Sequence, residues 1–243
     1  MTERERVDRL LVARGLFETR AQAQAAIAAG LVIADGVTVR KPSEPVSADA
    51  MLQATLAHPY VSRGGVKLAA ALDHFRIEPA GRVCLDIGAS TGGFTQVLLE
   101  RGARRVYAVD VGRGQLHARL REDPAGIVLE QTDIRSLDPA AIGDAPDLIV
   151  VDASFISLKL ILPAAVSLAA AQAQLVALIK PQFEAARAHS KKGIVRDPAV
   201  HAAVCDNIAA FVTDELRWRV AGIMPSPITG GDGNHEFFLL ATR

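Results

Sequence analysis

The sequence is poor in cysteine and aromatic residues, and it carries no excess charge of either sign. Its 243 residues include 2 cysteines, 1 tryptophan and 2 tyrosines, and 27 Lys and Arg balance 27 Asp and Glu. Two isolated cysteines exclude a disulfide framework and a cysteine-based zinc site, so a reducing cytoplasm is the expected compartment. The zero net charge excludes a histone-like or polybasic protein, and any nucleic-acid surface has to be a local patch.

Signal peptides and membrane spans are also not expected. The first residues, MTERERVDRLL, alternate in charge and have no apolar centre. A run of 20 uncharged residues between Lys159 and Lys180 is long enough for a membrane helix, but Pro163 and two glutamines interrupt it. This composition favours a helix over residues 163–171, then a turn and a buried strand over 175–179. We therefore expect no membrane partner.

Residues 1–58 are predicted to form a small α+β domain. Apolar residues at helical spacing cover 7–14 and 19–29, and Gly15 and Gly30 end these two helices. The pair Asp35-Gly36 lies between two short β-branched runs and predicts a hairpin, with a last strand near Met51. Residues 59–243 are assigned to a second domain.

The second domain is predicted to be α/β, with a doubly wound, Rossmann-like sheet. Apolar runs end in a polar residue at Asp86, Asp110, Asp133, Asp152 and Lys180. Parallel strands that are buried on both faces produce this pattern. The last two runs, 219–224 and 236–241, have no helical pattern between them. The sheet is therefore expected to be mostly parallel, with an antiparallel last strand.

A glycine-rich turn follows the first of these strands. Gly88 permits a tight turn, and Gly92 allows the backbone to approach a ligand at the start of a helix. Ser90 replaces the middle glycine of the dinucleotide motif, which disfavours a pyrophosphate, although a nicotinamide nucleotide stays an alternative. The pattern favours S-adenosylmethionine, an adenosyl ligand without phosphates. The predicted cofactor-binding residues are Asp86, Gly88, Ala89, Ser90, Thr91, Gly92, Asp110 and Asp133.

Four charged residues are predicted to surround the same crevice: Lys67, Asp152, Lys180 and Glu236. Asp152 and Lys180 end neighbouring buried runs, and the switch-point rule directs both toward the ligand. Taken singly, each residue is more often a solvated charge at the rim of a sheet. Their convergence on one crevice is the argument for a catalytic role.

These residues resemble a known family. The glycine turn and the four charges are similar to the Lys-Asp-Lys-Glu tetrad of FtsJ-like ribose 2′-O-methyltransferases. The N-terminal pattern resembles an S-four-type RNA-binding domain, and the fusion of the two resembles the TlyA family of rRNA methyltransferases, often labelled hemolysins. The pattern consists of Arg6-Val7-Asp8, Leu11, Gly15, Thr19-Arg20, Asp35-Gly36 and Lys41-Pro42.

The resemblance implies an S-adenosylmethionine-dependent enzyme that methylates the ribose 2′-hydroxyl of a cytidine. The substrate would be rRNA or a ribosomal subunit, and the reaction would need no metal. The sulfonium methyl group is already electrophilic, so the enzyme has to align the hydroxyl and remove its proton. Lys180 is the expected base, with Lys67 as a second ammonium nearby. Lys67 and Glu236 would orient the base and the ribose, and Asp152 would hold the Lys180 side chain.

RNA contacts are expected from local clusters of positive charge. Because aromatic residues are scarce, phosphate and shape contacts should dominate over base stacking. The predicted RNA-binding residues are Arg4, Arg6, Arg9, Arg20 and Lys41 in the small domain, Arg63 at the join, and Arg187, Lys191 and Lys192 beyond Lys180.

Two other interpretations stay open at this point. One is a non-catalytic RNA-binding protein with the same fold, and the other is a membrane-active hemolysin. The complete set of four charges argues against the first, and the lack of a spanning segment argues against the second. Methyl incorporation into rRNA tests the first, and leakage of liposomes tests the second.

Overall fold

The computed structural model describes residues 4–186 and 193–243, and it divides into two compact units, Met1–Ser62 and Arg63–Arg243. Three of the predicted RNA-binding residues, Arg187, Lys191 and Lys192, lie outside the described residues.

The small unit combines two helices with short antiparallel strands. Thr19 begins the second helix through a capping box with Gln22, and Asp35 and Gly36 both adopt positive φ in the hairpin turn. Strands β1 and β4 form one pair, and a three-stranded sheet has the order β3-β2-β5. The elements are β1 (Arg4–Arg6), α1 (Val7–Ala13), α2 (Arg20–Ala28), β2 (Val32–Ala34), β3 (Val37–Thr38), β4 (Pro45–Ser47) and β5 (Leu52–Ala54).

The large unit alternates strands and helices along most of its length. It begins with α3 (Arg63–Phe75), β6 (Val83–Ile87), α4 (Gly93–Glu100), β7 (Arg105–Val109), α5 (Ala118–Arg121) and β8 (Gly126–Leu129). Two short 3-10 helices, Ile134–Ser136 and Pro139–Ala141, precede β9 (Leu148–Val151) and α6 (Leu158–Ser167). The chain continues with β10 (Gln174–Ile179), α7 (Pro181–Glu184), α8 (Pro198–Asp214), β11 (Arg219–Pro225) and β12 (Phe237–Thr242).

The strands of the large unit form one seven-stranded sheet in the order β11-β12-β10-β9-β6-β7-β8. Only β12 runs opposite to the other six strands of this sheet, so the predicted mostly parallel sheet with an antiparallel last strand is confirmed. Strands β6 and β9 are fully buried, because helices cover both faces of the sheet centre. The chain reverses its winding direction between these two strands, which opens a crevice at their carboxyl ends.

The long uncharged run folds differently from the prediction in its first half. Helix α6 begins at Leu158 and ends at Ser167, with Pro163 inside it. The predicted bounds 163–171 were wrong, because Ser157 caps the helix by accepting from Lys159 N at 3.2 Å and Pro163 lies in its middle. The second half forms β10 as predicted. Across residues 4–186 and 193–243, none of the helices has the length and apolarity needed to cross a bilayer.

Candidate active site

The glycine turn after β6 packs directly against the carboxyl end of β9. Gly88 has a φ of 83°, and a Cβ at this position would lie 2.8 Å from the carbonyl oxygen of Asp152. Neither the conformation nor the space admits a larger residue without strain. The close approach places the predicted cofactor turn next to one of the four predicted catalytic charges.

A cleft of about 440 Å³ opens at this edge of the sheet. Four of the predicted cofactor-binding residues line it, Gly88, Ser90, Asp110 and Asp133, together with Asp152. The Asp110 carboxylate accepts from Ser90 N at 2.8 Å and from Gly112 N at 2.6 Å. These bonds fix the carboxylate at the end of β7, and each oxygen keeps a further lone pair for a ligand hydroxyl.

The other four predicted cofactor-binding residues, Asp86, Ala89, Thr91 and Gly92, are not among the residues that line the cleft. Asp86 is completely buried, and its Oδ2 accepts from the Thr95 hydroxyl at 2.6 Å. Its Oδ1 has no hydrogen-bond partner in the described part of the chain. Burial raises the pKa of Asp86 to about 7. Asp86 therefore links β6 to Thr95 in α4, the two elements on either side of the glycine turn.

Asp133 lies in the cleft wall with its carboxylate already engaged. The Arg135 guanidinium bonds to both carboxylate oxygens, and Arg135 N donates to Oδ1 at 2.9 Å. The Arg135 side chain holds the pKa of Asp133 below its usual range. An adenine amino group at this position would share the carboxylate with the guanidinium.

The four predicted catalytic charges form two ion pairs at the same edge of the sheet. Lys67 Nζ lies 2.5 Å from Glu236 Oε2, and both side chains are buried. Lys180 Nζ lies 2.6 Å from Asp152 Oδ1. Strands β9 and β10 are parallel neighbours, which explains the second pair. Lys67 was expected to assist Lys180 as a nearby ammonium, but its direct partner is Glu236.

The loop before β12 is built around Glu236. A Cβ on Gly230 would lie 2.6 Å from Glu236 Oε1, so a larger residue there would displace this carboxylate. Asn234 is buried, and its side chain accepts from Val195 N and donates to Gly193 O, each at 3.0 Å. These bonds tie the loop that carries Glu236 to the segment that precedes α8.

Two residues of the site were missed by sequence reasoning. Ser154 Oγ accepts from Lys180 Nζ at 2.8 Å, as a second partner beside Asp152. Phe155 is 90% exposed, has a φ of 64° and lies with its ring centroid 5.1 Å from that of Phe183. A positive φ is unusual for a bulky residue and marks a conformation imposed by its surroundings. The closeness of both residues to Asp152 in the sequence was the available signal.

The predicted RNA-binding residues of the small unit are exposed, but two of them share a buried partner. The guanidiniums of Arg6 and Arg20 both bond to Asp8, which is completely buried. These hydrogen bonds, that of Arg6 first, hold the pKa of Asp8 well below its usual range. Arg9, Arg4 and Lys41 are exposed as well, and Arg63 begins α3 in the large unit.

Comparison with known proteins agrees with this geometry. Residues 60–243 match the FtsJ-like methyltransferase family, and residues 5–52 match the S4 domain. The 16S/23S rRNA (cytidine-2′-O)-methyltransferase TlyA of Mycobacterium tuberculosis is 48% identical over 242 residues, which cover 98% of this chain and 90% of that protein. The chain belongs to the TlyA family of FtsJ-like methyltransferases.

Other relatives carry different names. Hemolysin A of Brachyspira hyodysenteriae is 38% identical over 96% of this chain and 97% of its own length. A solved structure from Streptococcus thermophilus, named as a candidate hemolysin, is 42% identical, with a TM-score of 0.79 over 100% of this chain and 90% of that one. An S-adenosylmethionine-dependent methyltransferase from Aquifex aeolicus shares only the fold, at 16% identity and a TM-score of 0.50 over 75% of this chain and 93% of that one.

Proposed function

We propose that this protein transfers a methyl group from S-adenosylmethionine to the ribose 2′-hydroxyl of a cytidine in ribosomal RNA. The observation that carries the proposal is the presence of two ion pairs, Lys67–Glu236 and Lys180–Asp152, at the edge of the sheet where the cleft opens. Asp152 also lines the cleft itself. The name of the Mycobacterium tuberculosis relative specifies this nucleotide and this hydroxyl. Because the substrate is ribosomal, the cytoplasm is the proposed place of action.

The cleft residues fit an adenosyl group. Gly88 lets the turn lie directly against the backbone of Asp152, and Ser90 adopts a φ of 48°, which turns the backbone of this segment. Asp110 would accept from the ribose hydroxyls of the cofactor, and Asp133 with Arg135 would lie near its adenine. When bound, S-adenosylmethionine supplies an electrophilic methyl carbon. The protein then has to position the acceptor hydroxyl and take its proton.

Lys180 is the proposed acceptor of that proton. Its Nζ lies near three oxygens: Asp152 Oδ1 at 2.6 Å, Ser154 Oγ at 2.8 Å and the Asp152 carbonyl at 3.4 Å. Nζ donates hydrogen bonds to Ser154 Oγ and to the Asp152 carbonyl oxygen, while Asp152 Oδ1 contacts it only as an ion pair. Nζ can accept the proton of the 2′-hydroxyl only as a neutral amine, which is the form that the proposed reaction needs.

The remaining residues of the site would orient the nucleotide. Glu236, held by Lys67, can accept a hydrogen bond from a ribose hydroxyl. Phe155 offers an exposed ring on which a base can stack. The S4 domain would bind RNA phosphates through Arg4, Arg9 and Lys41, with Arg6 and Arg20 held in place by Asp8.

A direct experiment combines binding with transfer. Calorimetry should show binding of S-adenosylmethionine and S-adenosylhomocysteine, and tritium should pass from the labelled methyl donor to rRNA. Binding of NADH without binding of S-adenosylmethionine would contradict the cofactor assignment. Binding of rRNA without transfer would favour a non-catalytic RNA-binding protein.

A membrane-active hemolysin is the second candidate, favoured by the name of the Brachyspira relative. Dye release from liposomes by the purified protein would support it. We expect no release at protein concentrations that give full methyl transfer.

A further inference from the structure

We infer that Glu184 is a positioning residue for methyl transfer. It holds the segment after β10 (residues 180–184) against the segment after β9 (residues 152–158). The inference rests on the proposed function, because these two segments carry Lys180 and Asp152. Glu184 itself does not line the cofactor cleft. Its effect would reach the reaction through the side chains that it holds in place.

Both carboxylate oxygens of Glu184 are used. Oε2 accepts from the Ser157 hydroxyl at 2.5 Å, and Oε1 accepts from Leu158 N at 2.7 Å. Ser157 is the N-cap of α6 and also accepts from Lys159 N. A carboxylate at the first turn of a helix meets free amide groups and a partial positive charge. Glu184 and Ser157 therefore cap α6 together.

The cap is the last of three connections between the two segments. At one end, Lys180 bonds to Asp152 and Ser154. In the middle, the rings of Phe155 and Phe183 are in contact. At the other end, the Glu184 carboxylate bonds to the start of α6.

The segment that carries Lys180 needs such an anchor. Helix α7 is a single turn, Pro181–Glu184, and Ala185 N bonds to Pro181 O at its end. One isolated helical turn is not stable by itself, because nucleation costs more than one hydrogen bond returns. Strands β9 and β10, in contrast, are paired through their backbones and buried. Loss of the Glu184 contacts should thus loosen the segment around Lys180 and leave the sheet intact.

The test compares Glu184→Ala, Glu184→Gln and Ser157→Ala in the full-length protein. We expect kcat to fall about tenfold or more in Glu184→Ala, since two hydrogen bonds are lost. Glu184→Gln keeps an acceptor for Leu158 N and a polar group for Ser157, so its kcat should stay within about threefold of wild type. Ser157→Ala should be intermediate. The exposed Glu78, outside both segments, supplies the control Glu78→Ala, which should match wild type.

Two further readouts separate positioning from general damage. The Kd for S-adenosylmethionine and the melting temperature should change little in all variants, while kcat falls. The inference is overturned if Glu184→Ala turns over like wild type, if Glu184→Gln is as slow as Glu184→Ala, or if kcat falls only in step with cofactor affinity and melting temperature. Should Glu184→Ala fail to fold, an unchanged kcat in Ser157→Ala would overturn the inference instead. A wild-type protein that does not methylate rRNA would refute the proposed function, which is a separate result.

Discussion

The buried carboxyl of Asp86 should make the free energy of unfolding depend on pH, by an amount that follows from the structure. Its carboxyl is completely buried at the end of β6, with one oxygen bonded to the Thr95 hydroxyl and the other unpaired among the described residues. Burial, with the nearby charges of Asp152 and Asp110, raises its pKa to about 7. In the unfolded chain an aspartate titrates at about 3.9.

The sign follows from proton binding in the two states. The folded protein keeps this proton to higher pH than the unfolded chain, so its contribution to stability is complete below about pH 4 and declines as pH rises to about 7. A difference of about three pKa units corresponds to a loss of up to about 4 kcal/mol in the free energy of unfolding. Asp86→Asn imitates the protonated carboxyl at every pH and should abolish this loss.

Urea unfolding between pH 5 and pH 8 measures the effect. Trp218 is the single tryptophan and is buried in the large unit, so its fluorescence reports the unfolding of this unit. The difference in the free energy of unfolding between Asp86→Asn and wild type should grow by about 3 kcal/mol from pH 5 to pH 8, in favour of the variant. The exposed Asp214 supplies the control Asp214→Asn, whose curve should run parallel to that of wild type. Parallel curves for Asp86→Asn would show that Asp86 is ionised in the folded protein and would refute the reasoning.

Three further predictions concern the proposed reaction. Lys180→Arg should lower the rate of methyl transfer by about 10²–10⁴, as Lys180→Ala does, because a guanidinium does not release its proton; near wild-type turnover would mean that Lys180 acts only as a fixed cation. Asp110→Ala should weaken S-adenosylmethionine binding in calorimetry by about 1–3 kcal/mol, and unchanged affinity would contradict the proposed ribose contact. Arg9→Ala should weaken rRNA binding and reduce its salt dependence, with an unchanged melting temperature. Arg20→Ala should also lower the melting temperature, because it removes a partner of the buried Asp8. An unchanged RNA affinity in Arg9→Ala would show that Arg9 is not part of the interface.

Much of the large unit could be predicted because its signals are local. The apolar runs that end in Asp86, Asp152 and Lys180 mark the buried strands β6, β9 and β10, and the sheet follows from them. The apolar run that ends at Asp133 is longer than its strand, because β8 ends at Leu129 and Gln131 adopts a φ of 54°. A single residue in the left-handed region gives no periodic signal.

The partners of the site residues were harder to predict than the residues themselves. Lys67 and Glu236 are separated by most of the large unit, and nothing in their spacing shows that they pair with each other. The engagement of Asp133 by Arg135 and of Lys180 by Ser154 depends on side-chain directions that arise only after folding. Sequence reasoning therefore predicted a set of charges for one crevice, but tertiary packing decided which of them are in contact.

The position of the transferred methyl group tests the central claim most directly. Ribosomal RNA would be incubated with S-adenosylmethionine and either wild-type protein or Lys180→Ala, digested to nucleosides and analysed by mass spectrometry. The account predicts 2′-O-methylcytidine with the wild-type protein and a loss of this product with Lys180→Ala. A methyl group on a base, or equal 2′-O-methylation by both proteins, would contradict it.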